Sequence, residues 1–181
     1  MIMASGLRRF ALTAHVISSV GLLGAIAGFL ALAVAGLTSQ DDQMVRAAYL
    51  AMELIARFVI LALAFASLLT GLIQSMGTPW GLFRHYWVLV KLLLTVFATI
   101  GLLARMELIS RAARLSAETI IARADLRAAG IQLVIHASGG LLVLLAPAIL
   151  SVYKPPGMTR YGWRRQHGQP ALAQPTLKQH G

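Results

Sequence analysis

Two basic side chains lie at matching depths inside apolar stretches of this sequence. His15 follows Arg9 by six residues and Lys91 follows Arg84 by seven, so in helices both lie roughly 10 Å along the apolar segment. Such groups normally face neighbouring helices and have polar partners. An imidazole here could act as a ligand, at the same depth as the ammonium group of Lys91. The structural alternatives are a hydrogen-bonded packing histidine and a lysine that extends to the lipid headgroups.

A second set of polar residues is expected near the opposite ends of the same helices. Glu53 and Arg57 are four residues apart, so they share one face of a helix and can pair. His136 lies nine residues after Arg127, at a depth similar to that of Glu53, and Gln132 is one turn away. We therefore expect a buried polar cluster of Glu53, Arg57, Gln132 and His136. A simple intrahelical ion pair and a packing histidine are the alternatives.

The elements that position these residues are long apolar helices. Hydrophobic residues make up 58% of the 181 residues and charged residues 12%, whereas soluble domains carry about 25% charged residues. Crossing a bilayer takes about 20 apolar residues, and four runs qualify: about 10–37, 45–76, 86–104 and 128–153. No alternating pattern of a membrane barrel is present. The sequence predicts an all-α, integral membrane four-helix bundle within residues 1–166.

The region between the third and fourth runs, 105–127, has apolar residues at helical spacing opposite charged ones. This pattern predicts an amphipathic helix that lies at the membrane interface. Glycines recur within the spanning runs, and Gly24 and Gly28 form a G-x-x-x-G pair that favours close approach of helices. We expect these and the following glycines to pack helices tightly within the bundle: Gly21, Gly71, Gly139 and Gly140.

The distribution of charge predicts the orientation. Eight bases and no acid fall on the side that holds both termini, against six arginines and five acids on the other side. Because lysine and arginine accumulate in cytoplasmic loops, both termini are expected to be cytoplasmic. The net charge of +10 is then expected to attract anionic lipid headgroups rather than nucleic acid. Residues 167–181 are predicted to be a disordered cytoplasmic tail.

Three stretches carry a resemblance to known proteins: "AHVISSVGLLGAIAGFLALAVAGL", "GTPWGLFRHYWVLVKLLLT" and "HASGGLLVLLAPAILSVYKPPGMTRYGWRRQ". Over roughly residues 8–166 the chain resembles an uncharacterised family of bacterial, largely actinobacterial, four-helix membrane proteins. That family is distantly similar to the membrane domains of CopD copper-resistance proteins and HemJ-type protoporphyrinogen oxidases. The shared features are His15 before "GLLG" and Lys91 after Trp87.

The resemblance implies a haem-binding or metal-handling bundle in the bacterial cytoplasmic membrane, with haem b as the candidate cofactor, His15 as the candidate axial ligand and Lys91 as its neighbour. The further histidine and aromatic residues that HemJ-type proteins carry along the first helix do not occur in "AIAGFLALAVAGL", which argues against oxidase activity. His15 and His136 differ in expected depth by about 15–20 Å, so they cannot easily share one iron.

Other functions stay open at this point. Copper transport suits histidine and methionine, although the spanning runs contain no Met-x-x-x-Met ladder. Proton or small-solute transport could use the two polar sets, but it would require a homo-oligomer because four helices enclose little lumen. A scaffold or sensor subunit would need no site. No hydrolase triad, P-loop or dinucleotide fingerprint is present, and whether the protein is an enzyme is left undecided.

Overall fold

The apolar runs form long helical rods in the computed structural model of the chain, which describes residues 4–77, 86–118 and 123–153. These residues contain helices and no strand, which confirms the all-α prediction. The second rod contains two α-helices joined by a π-helical turn. In chain order the elements are α1 (Ser5–Thr38), α2 (Asp42–Leu54), the π-helical turn (Ile55–Ile60), α3 (Leu61–Gly77), α4 (Tyr86–Ala117) and α5 (Arg123–Tyr153).

The rods are arranged as a ring in which each packs against two others. Rod α1 contacts the α2–α3 rod on one side and α5 on the other, and α4 contacts the same two neighbours. Successive rods run in opposite directions. We refer below to the His15 end, where Ser5, Gly77, Tyr86 and Tyr153 lie, and to the Tyr49 end, where Thr38, Asp42, Ala117 and Arg123 lie.

All four rods are long and apolar enough to cross a membrane. The candidate spans contain 34, 35, 30 and 28 residues, with mean hydropathy of 2.0 to 2.3. This length and composition are those of a multi-pass membrane protein. Each span exceeds the roughly 20 residues that a bilayer requires, so the extra turns must tilt or extend into the headgroup layers.

Tyr49 is the centre of the packing at its end of the bundle. Its side chain is 1% exposed, and its hydroxyl donates to the carbonyl of Leu126 over 3.3 Å. The ring lies between two glycines. A Cβ at Gly36 would lie 3.0 Å from the ring, and a Cβ at Gly130 would overlap the hydroxyl. A side chain at either position would therefore displace the tyrosine, which fills the space that the side chain would need.

The glycines singled out in the sequence mostly do not pack the bundle. A Cβ at Gly24, Gly28, Gly139 or Gly140 would meet nothing within 4 Å. The expectation that the G-x-x-x-G pair brings helices together within the chain is therefore wrong. Spacing shows that Gly24 and Gly28 share a face of α1, but packing of the rods turns that face outward. Gly71 does meet a neighbour, His15.

The third rod is longer than predicted. It does not end near residue 104, because α4 continues unbroken to Ala117. A separate interfacial helix over 105–127 is not confirmed: Ile109, Ala112 and Ala113 are buried, so this apolar stripe faces the core and the charged residues opposite it face outward. The other rods also extend past their predicted limits, and the predicted tail, 167–181, lies outside the described residues.

The end of α4 is held by an arginine from α2. Arg46 Nε donates to the carbonyl of Ser116 over 3.0 Å, and its Nη2 donates to that of Glu118 over 2.9 Å. Carbonyl groups in the last turn of a helix lack partners within the helix, and a cation there also interacts favourably with the helix dipole. This contact helps to fix the last turns of α4 against α2.

Candidate functional site

The imidazole of His15 is oriented by α3. Its Nδ1 lies 3.1 Å from the carbonyl oxygen of Ser67 and 3.1 Å from the hydroxyl of Thr70. The Thr70 hydroxyl itself donates to the carbonyl of Ala66 over 2.6 Å. A carbonyl oxygen can only accept, so Nδ1 carries the proton. In the neutral ring, Nε2 therefore keeps its lone pair for a metal or a proton donor.

The contacts of His15 belong to a longer line of polar contacts between α1 and α3, which we name the α1–α3 seam. Gln74 Nε2 donates to the carbonyl of Ala11 over 2.7 Å. The hydroxyls of Ser19 and Ser67 are 2.9 Å apart. Successive turns of α3 thus bind successive turns of α1. Interhelical hydrogen bonds between membrane helices average about 0.6 kcal/mol each, so the seam adds modest stability and a defined register.

Gly71 allows α3 to approach the histidine closely. A Cβ at this position would lie 3.0 Å from Cε1 of His15 and 3.4 Å from its Nδ1. The ring therefore packs directly against the backbone of α3. Any larger side chain at Gly71 would have to move the imidazole or separate the two helices.

Lys91 lies at the same end of the bundle as His15. It is partly buried in α4. Its backbone carbonyl accepts a hydrogen bond from Thr95 over 2.9 Å. The structure thus places His15 on α1 and Lys91 on α4 at one end of the bundle, with α3 orienting the histidine. Their role in binding a cofactor stays a prediction.

The second set of polar residues forms a charged group between the α2–α3 rod and α4. Glu53 Oε1 accepts from Arg57 Nη2 over 3.1 Å and from the Ser110 hydroxyl over 2.7 Å. The same hydroxyl accepts from Arg57 Nη2 over 3.2 Å. We name these three residues the Glu53 cluster. The Glu53 side chain is 26% exposed and the Arg57 side chain 53%, so this group lies partly on the outer surface of the bundle.

Ser110 was missed by the sequence reasoning because residues 105–127 were assigned to an interfacial helix. One signal could have identified it. Ser110 adjoins Ile109 on the apolar stripe of that segment, where a hydroxyl needs a polar partner once the stripe is buried.

Gln132 and His136 are not part of the Glu53 cluster. Both are exposed on α5, and His136 Nδ1 donates to the carbonyl of Gln132 in its own helix over 2.6 Å. The prediction of one buried group of four is therefore wrong. Helix rise predicts a level along the bundle axis but not the direction in which a side chain faces. The inward face of α5 carries Leu133 and Ala137 instead.

An apolar layer separates the α1–α3 seam from the Glu53 cluster. Ile60 and Ala64 of the second rod belong to the core there, and Leu102 and Met106 of α4 pack against it. Arg57 and Ser67 are about 15 Å apart along the rod by helix rise. The described residues therefore show no continuous polar path along the bundle. They also contain no group of three or more histidine and acidic residues that could hold a metal ion, so His15 offers a single protein ligand.

Comparisons with family models, with curated proteins and with solved structures found no match to this chain. The functional argument therefore depends on the geometry of the site. Its most specific feature is the fixed tautomer of His15.

Proposed function

We propose that this chain is an integral protein of the bacterial cytoplasmic membrane that binds haem b through Nε2 of His15. The observation that supports it is the hydrogen bond from Nδ1 to the Ser67 carbonyl. Histidines that bind metals usually donate their other ring N–H to a carbonyl or carboxylate, which fixes the tautomer and the ring orientation. Two short motifs, His15 before "GLLG" and Lys91 after Trp87, resemble the CopD and HemJ-type membrane domains. This resemblance also supports haem binding.

The described residues offer a haem group one imidazole ligand and one cation. A single imidazole suffices as the proximal ligand in several classes of haem protein. Lys91 supplies a cation at the same end of the bundle, suited to a propionate. The haem would supply a redox-active iron. The protein's part is to hold the ring of His15 through Ser67 and Thr70 and to present Nε2 with its lone pair.

His136 is not a second ligand in this proposal. It faces outward from α5 and bonds to its own helix, whereas His15 lies between α1 and α3. His15 would therefore be the one protein ligand that the described residues offer to the iron. Transport is not favoured, because the apolar layer separates the two polar regions.

The experiment is an absorption spectrum of the full chain, expressed with added haem precursor and purified in detergent. We expect a Soret band that His15→Ala abolishes. His136→Ala is the matched control and should retain the band, because that ring is exposed and bonded within its own helix. Lys91→Met should weaken haem retention without shifting the band. Absence of the band in the unaltered protein would refute haem binding, and its persistence in His15→Ala would refute the assignment of the ligand.

The orientation forms part of the same proposal. Eight unopposed bases on the side of the termini favour a cytoplasmic location for both, with anionic headgroups as their partners. A reporter enzyme that is active only in the periplasm, fused after Gln166, should be silent. Activity of that fusion would reverse the orientation.

A further inference from the structure

The Tyr49 end of the bundle contains an open cavity of about 480 Å³. It lies between the end of α1, the α1–α2 connection and the first turns of α5. Leu37, Val45 and Ile131 give it apolar walls, and two arginines of α5, Arg123 and Arg127, line it as well. This combination of apolar and cationic surface suits a ligand that has both an anionic and an apolar part.

The two arginines have different roles. Arg123 donates to the carbonyl of Gln40 over 2.9 Å and pairs with the carboxylate of Asp42, so it ties α5 to the start of α2. Arg127 is exposed and makes no hydrogen bond or ion pair with the residues that the structure describes. Its guanidinium group is therefore available to an anion.

The level of Arg127 matches the headgroup layer of a bilayer. It lies about 26 residues before Tyr153, which is roughly 39 Å of α-helix. A bilayer is about 40–45 Å thick including its headgroups. Tyr153 is 80% exposed and is placed as an interfacial aromatic would be. With Tyr153 in one headgroup layer, Arg127 reaches the other.

One face of α5 between these two levels is apolar, and the exposed Gln132 and His136 lie beside it. Ile131, Ile135 and Leu142 are exposed along it, and Ile131 also lines the cavity. The cavity thus continues onto a surface suited to an acyl chain. A soluble phosphate ester could bind Arg127, but it would leave this continuous apolar surface unused.

From these features we propose that the cavity binds the headgroup of an anionic phospholipid. Arg127 contacts the phosphate, and an acyl chain follows Ile131 and Ile135. A guanidinium group binds a phosphate through charge-assisted hydrogen bonds, often two at once. This site lies at the opposite end of the bundle from His15 and does not depend on haem binding.

The test compares lipids and two arginine variants of the full chain in detergent micelles. Binding of dioleoylphosphatidylglycerol is measured by native mass spectrometry and by thermal stabilisation. Arg127→Gln should weaken it about fivefold, the effect of one base near an anionic surface. Arg114→Gln is the matched control. Arg114 is an exposed arginine near the same end of α4, does not line the cavity, and its loss should leave binding unchanged.

Two further arms decide the source of the anion. Ile131→Ser should also weaken phosphatidylglycerol binding, because the acyl chain loses apolar contact. Dioleoylphosphatidylcholine and sn-glycerol 3-phosphate should each stabilise the protein much less. If Arg114→Gln weakens binding as much as Arg127→Gln does, the attraction is diffuse. If phosphatidylcholine binds as well as phosphatidylglycerol, the anion has no role. If glycerol phosphate stabilises the protein as much as phosphatidylglycerol does, the ligand is soluble. Each of these results would overturn the lipid site.

Both arginine variants are expected to fold, since neither side chain has a partner among the described residues. Melting temperatures in phosphatidylcholine micelles check this directly. If the Arg127→Gln variant melts as the parent does in those micelles and yet keeps full affinity for phosphatidylglycerol, the proposal is contradicted.

Discussion

The α1–α3 seam and the Glu53 cluster both join neighbouring rods through polar groups, but they do so by different chemistry. The seam uses uncharged groups, and two of its contacts end on backbone carbonyls of the opposite helix. The Glu53 cluster uses an ion pair with a shared serine, and half of the Arg57 side chain is exposed. The uncharged hydrogen bonds of the seam can therefore form away from water, whereas the charged groups of the Glu53 cluster need a polar environment.

Depth accounts for this difference. Arg57 lies about 20 residues before Gly77, so it is roughly 30 Å from the His15 end by helix rise, near the far edge of the hydrocarbon layer. A charge at the bilayer centre costs about 2.5 to 3.5 kcal/mol, and a half-exposed arginine avoids this cost where water and headgroups reach it. The seam lies at the other end, within the apolar stretch, where uncharged groups cost less to bury.

The largest expected effect comes from inserting a side chain into the seam. Gly71→Leu places a side chain against the His15 ring, because a Cβ alone would lie 3.0 Å from Cε1. We expect a loss of about 1–3 kcal/mol in the free energy of unfolding, which is typical of overpacking. Gly139→Leu is the control, since its Cβ would meet nothing within 4 Å. Denaturant unfolding in one detergent measures both, and equal losses would mean that the contact at Gly71 is not tight.

An intermediate effect is expected in the Glu53 cluster. Glu53→Ala removes the acceptor of both Arg57 and Ser110 and should destabilise the protein by about 1–2 kcal/mol. The double variant Glu53→Ala/Arg57→Ala should lose less, because no charge is then left without its partner.

Salt gives an independent test of the same cluster. Because Arg57 is half exposed, high salt should shrink the difference between Glu53→Ala and the parent. The seam contains uncharged hydrogen bonds and should not respond. Additive losses in the Glu53 and Arg57 variants, together with no salt effect, would show that the pair does not interact.

The smallest effect is expected for one hydrogen bond of the seam. Gln74→Leu keeps the approximate volume but removes the donor to the Ala11 carbonyl. The expected loss is about 0.6 kcal/mol, the average for hydrogen bonds between membrane helices. Gln132→Leu, at an exposed position of α5, should change the stability by less. A larger loss at Gln132 than at Gln74 would reverse the assignment of which glutamine joins two helices.

The four spans could be predicted from the sequence because a bilayer imposes a local requirement. A run of about 20 apolar residues is visible in the chain without knowledge of its neighbours. Helix rise also predicts the levels of polar residues along the bundle axis without reference to their neighbours. The pair Glu53 and Arg57 was predicted from its spacing, and the structure confirms their salt bridge.

The directions in which side chains face were decided only by the tertiary structure. Helical spacing groups residues on a face, but the packing of the rods determines whether that face is inward or outward. Gly24 and Gly28 consequently face outward, as does His136. Glu53 bonds to Ser110, and not to the predicted partner His136. The tautomer of His15 depends in the same way on α3, because a carbonyl more than 50 positions away along the chain accepts its proton.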